Sequence, residues 1–214
     1  GGGVDPGSKI SRREGVLGMS KPTPTLDRRD ILATLFPSTD DILFITGLAG
    51  SARDAAGLTN DGDNLFTMAG AMGAAVPMGL GVALAAPEKQ VAVVTGDGEL
   101  LMNIGSLASV ATMAPGNLSI VCIDNGCHGE TGGQTGHTSN RTDLVKMAEG
   151  AGLASIMVLE TADQMEAAAK FLAETPAPRF LQVRVTDGPP TDFKRNLNPA
   201  QCRTRFRNAY LASR

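Results

Sequence analysis

A doubly wound α/β sandwich, built on a parallel sheet of about six strands, is the fold this sequence predicts. Two observations carry the prediction. Between Asp41 and Val185, six short runs rich in β-branched and aliphatic residues recur, and most are separated by stretches that permit a helix. The runs are apolar throughout rather than alternating, as strands buried on both faces of a parallel sheet must be. With 214 residues, 42% of them hydrophobic, the chain suits one sizeable domain and would be cramped as two.

Taken in order, residues 1–18 have no apolar periodicity and read as an expression remnant ahead of a native Met19. Residues 19–40 form a Pro/Thr-rich lead, in which ILATLF is a short helix stopped by Pro37. The strands are DILFITG (41–47), NLFTM (64–68), QVAVVTG (90–96), LSIVCID (118–124), SIMVLE (155–160) and RFLQVRV (179–185). Helices are expected over Ser51 to Ala56, Ala74 to Ala86, Leu100 to Met113, Asp143 to Ala151 and Ala162 to Glu174. The longest apolar stretch, Ala69 to Ala86, contains Pro77 and several glycines. It is too short and broken for a membrane span of about 20 residues, and reads as a buried helix. Residues 41–190 make the ligand-binding domain, and 191–214 a tail whose PAQCRTRFRNAYLAS forms a basic surface helix.

The formal charge of −3, with no basic cluster interleaved with aromatics, gives no reason to expect nucleic acid or an anionic membrane surface. Three cysteines without a C-x-x-C signal neither a disulfide framework nor a zinc or iron-sulfur site, and point to a reducing cytoplasm. No G-x-x-x-x-G-K-[ST] occurs and no G-x-G-x-x-G follows a strand, which disfavours an ordinary nucleotide module.

The chemistry gathers where two strands end. Gly96-Asp97-Gly98 closes one, and Asp124-Asn125 closes the next. The intervening crossover holds a helix and returns the chain to the same sheet edge, so the two ends meet. Mg²⁺ takes oxygen ligands, commonly one or two carboxylates completed by phosphate oxygens and water. Asp97 supplies the charge and Asn125 a neutral carbonyl. Gly96 and Gly98 let the backbone pass close to a phosphate. Together they describe a site for a magnesium diphosphate.

This conjunction resembles the diphosphate-binding motif of thiamine-diphosphate-dependent enzymes, over roughly residues 40 to 186. AGAMGAAVPMGLGVALAAPEKQVAVVTGDGELLMNIGSL, with DNGCHGETGGQ, is similar to sulfopyruvate decarboxylase small subunits and to the carboxyl-terminal half of phosphonopyruvate decarboxylases. The resemblance implies thiamine diphosphate and Mg²⁺ as cofactors. It implies Asp97, Asn125 and the Cys127 carbonyl as the protein's metal ligands, and amides of Gly98 and Glu99 for the diphosphate. Gly70 would meet the aminopyrimidine through its carbonyl, and Met72 would be the apolar wedge that bends the cofactor. Thr46, Gly96, Gly129 and Thr131 complete the implied contacts.

The loop CHGETGGQTGHTS places Cys127, His128, Glu130, Gln134 and His137 beside the expected metal. His128 and Glu130 are the catalytic candidates, because histidine titrates near neutrality and could protonate a carbanion. Cys127 has no base fixed beside it and is expected to offer only its carbonyl. The resemblance further implies a small 2-oxoacid substrate, with Arg53, Arg141, Arg195 and Arg203 as candidates for a distal sulfonate or phosphonate. Family enzymes activate the cofactor with a glutamate on a pyrimidine-binding domain. The expectation is a second subunit bearing that domain, in an α2β2 or larger hetero-oligomer. Acetolactate-synthase-like carboligation, or a non-catalytic cofactor-binding subunit, are the alternatives.

Overall fold

The computed structural model describes residues 23–212; the expected remnant at 1–18 and Met19 lie outside the described residues. In chain order the elements are α1 (Ile31–Leu35), β1 (Ile42–Thr46), α2 (Ala49–Thr59), β2 (Leu65–Thr67), α3 (Ala75–Ala85), β3 (Gln90–Gly96), α4 (Asp97–Met102), α5 (Ser106–Met113) and β4 (Leu118–Asp124). There follow β5 (Cys127–His128), β6 (Gln134–Thr135), α6 (Leu144–Gly150), β7 (Ser155–Leu159), α7 (Met165–Glu174), β8 (Arg179–Arg184) and α8 (Pro199–Ala212). Six strands pair in parallel in the order β2-β1-β3-β4-β8-β7, while β5 and β6 make a separate antiparallel ribbon. The predicted doubly wound sandwich is thus present.

Every long strand feeds two cores, one on each face. Phe44, Ala92, Val94, Val121 and Ile123 pack with α1, α2 and α7, whereas Leu43, Ile45, Val91, Val93 and Ile120 pack with α3, α5 and α6. Removing such a side chain from water is worth about 1.5–3 kcal/mol. Alternate residues of one strand therefore serve opposite layers, which is why the runs carry no polar phase. The lead joins the first core through Leu26, Ile31, Leu32 and Leu35, and Phe36 meets Phe44 edge-on at 5.3 Å.

Because β1 lies between β2 and β3, its two neighbours are reached by crossovers leaving in opposite directions. The crevice at the carboxyl ends of β1 and β3 is therefore the switch point where such sheets bind ligands. Helix α3 is pressed tightly onto this sheet: a Cβ placed on Gly79 would fall 2.1 Å from Val93 Cγ2. Its end is fixed by Asn117, whose Nδ2 donates to the carbonyls of Ala83, Ala86 and Lys89 at 3.1, 2.9 and 2.8 Å.

Two expectations are corrected. The helix expected over Leu100 to Met113 is two, because Asn103 leaves the helical path; its Nδ2 donates to Gly73 O at 3.0 Å, and its carbonyl accepts from Ser106 Oγ at 2.7 Å. The apolar stretch at α3 is buried on one side only: Met78 and Leu84 are 41% and 45% exposed, alongside exposed Pro77, Gly81 and Ala85. Its composition encodes two apolar surfaces, of which the sheet covers one.

At one rim, α8 lies against β2, with Cys202 buried and its Sγ 3.8 Å from Thr67 Oγ1. Arg205 on α8 pairs with Asp61 at 3.2 Å. Among the described residues no helix is long and apolar enough to cross a membrane.

Candidate cofactor site

The β3–β4 register sets Gly96 opposite Ile123, so Asp97 and Asp124 leave adjacent strands side by side. Asp97 then opens α4, and both carboxylates are almost fully buried. Thr138 Oγ1 stands 3.0 Å from Asp97 Oδ2 and 2.6 Å from Asp124 Oδ1. Asp124 is satisfied further by the Gly126 amide at 3.0 Å and by Gln182 Nε2 at 2.5 Å. Burial pushes the Asp97 carboxyl up to about 6, with the Asp124 charge adding to it and the Thr138 hydroxyl and Gly98 amide opposing. A carboxylate held this way gains from a cation.

Asn125 follows directly. Its Oδ1 accepts from the Cys127 amide at 3.4 Å, and its Nδ2 donates to Asp187 Oδ1 at 3.3 Å. Burial, reinforced by Asp187, raises the Cys127 thiol above its ordinary value, so it is a poor nucleophile at neutral pH. Thr138, Gln182 and Asp187 are residues that sequence reasoning missed. Thr138 lies within the CHGETGGQTGHTS loop but carries no motif of its own, while Gln182 and Asp187 come from distant parts of the chain and meet the motif only through folding.

The next layer is His128 and Met72. A Cβ placed on Gly98 would lie 3.1 Å from His128 Nδ1 and 3.8 Å from Met72 Cε, so both side chains stand over the same glycine. His128 also meets His137 edge-on, with ring centroids 6.0 Å apart. Met72 is 42% exposed at the mouth of the crevice, where a wedge is useful and a core methionine would be hidden. Gly70, at φ 155, has open space where a Cβ would stand, and Ala69 beside it holds a left-handed φ of 55. Such backbone costs about 1–3 kcal/mol and collects at ligand clamps.

Glu130 lies exposed on the short turn Gly129–Thr131. Thr131 closes that turn, its Oγ1 donating to Gln134 Oε1 at 2.9 Å while Gln134 Nε2 returns to Thr131 O at 2.7 Å. At the switch point the Thr46 hydroxyl is buried and makes no hydrogen bond within the chain. Beside it the Glu99 side chain fills the space that a Cβ on Gly47 would need, 1.6 Å from its Oε1. Neither Glu99 oxygen has a hydrogen bond of ordinary geometry. Burial lifts this carboxyl to about 7, against weaker opposition from the Thr95 hydroxyl and the Leu48, Gly96 and Gly73 amides.

These residues fit a magnesium diphosphate. The donor set is one buried carboxylate, one carboxamide oxygen and a backbone carbonyl, all hard oxygens. Among the described residues no three His, Cys, Asp or Glu side chains are grouped to hold a metal, so a cation here must draw its remaining ligands from elsewhere, as phosphate oxygens provide. The orphaned Thr46 hydroxyl and the open ground around Gly70 are sites where a bound group would find a donor and room.

The chain is 36% identical over 189 residues to phosphonopyruvate decarboxylase of Streptomyces viridochromogenes, covering 88% of this chain and 46% of that protein. It is 30% identical over 184 residues to sulfopyruvate decarboxylase subunit beta of Methanococcus maripaludis, covering 86% of this chain and 97% of that subunit. The chain thus spans about half the length of the first relative and nearly all of the second. A solved structure of the thiamine diphosphate-dependent 4-hydroxybenzoylformate decarboxylase of Rhodococcus jostii shares the fold, with a TM-score of 0.60 at 22% identity over 83% of this chain and 37% of that one. Residues 52–183 match the family described as thiamine pyrophosphate enzyme, C-terminal TPP binding domain, and the chain belongs to it.

Proposed function

We propose that this chain is the diphosphate- and Mg²⁺-binding subunit of a thiamine-diphosphate-dependent decarboxylase of small 2-oxoacids that carry a sulfonate or phosphonate at the far end. The observation that carries this reading is the paired exit of β3 and β4, which sets buried Asp97 beside the Asp124-Asn125 turn under the hydroxyl of Thr138. Thiamine diphosphate, when bound, supplies a carbon nucleophile for the ketone and a sink for the electron pair left as CO₂ departs. Asp97, Asn125 and the Cys127 carbonyl hold the cation. The Gly98 and Glu99 amides and the Thr46 hydroxyl would take the diphosphate, and Met72 would give the cofactor's rings an apolar support. His128, held edge-on to His137, gives and takes a proton through its ring nitrogens at the reacting carbon, with Glu130 nearby on the same loop.

A second chain brings the pyrimidine-binding domain and its glutamate, in an α2β2 or larger assembly. Support comes from the relative named as subunit beta and from α3, whose outer face of Pro77, Met78, Gly81, Leu84 and Ala85 presents no polar side chain to solvent. All three cysteines are unpaired, in keeping with work in the cytoplasm. The names of both relatives favour decarboxylation over carboligation. Calorimetry with thiamine diphosphate, with and without Mg²⁺, tests the cofactor. CO₂ release from sulfonated, phosphonated and plain 2-oxoacids by the reconstituted pair tests the reaction. Release from the first two is expected, and inactivity on all three would remove the reading.

A further inference from the structure

Two arginines outside the cofactor contacts lie in one electrostatic neighbourhood beside the crevice. Arg53 projects from the exposed face of α2, one turn before Gly57. The segment joining β8 to α8 runs along that face. Thr191 N donates to Asp54 Oδ1 at 2.8 Å, Thr191 and Phe193 lie against Gly57, and Asn196 N donates to Asp61 Oδ2 at 3.1 Å. This strap brings Arg195 within reach of the Arg53 charge, with Glu130 of the β5–β6 loop nearby. The place borders the diphosphate approach, since Ser51, in the first turn of α2, covers Gly96 at the end of β3.

Arg195 is half-buried, and its Nη1 is enclosed without a hydrogen bond. Among the described residues neither Arg53 nor Arg195 closes an ion pair. Burial first, and then the Arg53 charge, holds Arg195 below the usual arginine range, while Glu130 and Asp61 pull the other way. An enclosed guanidinium N–H with no acceptor, placed near a second cation, costs free energy that a bound anion would recover. Of the other arginines considered from sequence, Arg141 and Arg203 are exposed, and Arg203 lies on α8.

We propose that Arg53 and Arg195 form the binding site for the far-end oxyanion of the substrate, a tetrahedral sulfonate or phosphonate. The proposal rests on the decarboxylase reading and adds the groups that select the substrate. Arg195 offers its planar fork to two oxygens, and Arg53 adds charge from the solvent side. A 2-oxoacid with an apolar end leaves both cations unpaired and is bound weakly.

The test titrates phosphonoacetate, sulfoacetate, acetate and inorganic phosphate into the pair reconstituted with the proposed second subunit and loaded with thiamine diphosphate and Mg²⁺, and into the same pair carrying Arg53→Gln, Arg195→Gln or Arg195→Lys. Phosphonoacetate and sulfoacetate should bind at least tenfold more tightly than acetate or phosphate. Either glutamine variant should weaken them by about ten- to a hundredfold, leaving acetate and thiamine diphosphate affinities within about twofold; Arg195→Lys falls between. Exposed Arg53 keeps the test open should Arg195→Gln fail to fold. Equal anion affinity in wild type and variants overturns the proposal alone. So does inorganic phosphate binding as tightly as phosphonoacetate, or a parallel loss of cofactor affinity, which would assign the guanidinium groups to the diphosphate. Failure of thiamine diphosphate to bind the wild type overturns the parent reading and this one with it.

Discussion

Asp97 and Asp124 share a single hydroxyl, that of Thr138, at 3.0 and 2.6 Å. A hydroxyl has one proton to give, so it cannot satisfy both carboxylates at once. Thr138→Val removes the bridge and leaves the two acids facing each other across an apolar gap. Urea denaturation should show a loss of about 1–3 kcal/mol. Mg²⁺-dependent thiamine diphosphate affinity should fall about tenfold; unchanged affinity would show that the bridge plays no part in shaping the cation site.

Glu99 gives the chain a pH dependence. Its folded value of about 7 lies above the ordinary 4.5, so the folded state prefers the protonated acid. The stability this contributes is complete below about pH 4.5 and is lost as pH rises through 7. Asp97, raised to about 6, acts in the same direction. Glu99→Gln removes the charge while keeping the shape. At pH 8 the variant should be more stable than the wild type by on the order of 2–3 kcal/mol, with the gap closing by pH 5. Parallel stability curves for the two proteins would refute the assignment.

Gly79 tests packing without chemistry. Its α-carbon approaches Val93 so closely that Ala cannot be seated without moving α3. Gly79→Ala should cost about 1–3 kcal/mol in thermal or urea unfolding. Thiamine diphosphate affinity at a temperature where the variant is folded should not change, because Gly79 faces the sheet rather than the crevice.

The outer face of α3 tests the proposed assembly separately from folding. Leu84 is 45% exposed, so Leu84→Glu should shift stability by less than about 0.5 kcal/mol. Sedimentation of the chain mixed with the proposed second subunit should show the complex weakened or lost. Undiminished association would place the partner on another surface.

The strands were legible because burial on both faces demands unbroken apolar runs, and six such runs became six strands. Gly96-Asp97-Gly98 and Asp124-Asn125 were legible because their chemistry is local. What escaped was set by distance along the chain. Gln182 touches Asp124 only after β4 pairs with β8, Thr138 only after the turn following β6 folds back, and Asp187 reaches Asn125 from beyond β8. The break at Asn103 was written in the Asn-Ile-Gly punctuation, yet every flanking residue permits helix. The order β4-β8-β7, against the order of synthesis, is a tertiary choice that no single run records. The second apolar face of α3 was visible in its composition, but composition alone cannot say that the sheet hides only half of it.

The packing of α8 on β2 has a further consequence. A parallel sheet ends in two rims of unspent amides and carbonyls, and an uncapped rim recruits strands from other molecules. Here the β2 rim is covered by α8, latched through Cys202 to Thr67 and through Arg205 to Asp61. Loss of α8 would therefore do more than remove a surface helix. It would unseal β2 and leave its unpaired amides and carbonyls open to edge-to-edge pairing with other molecules.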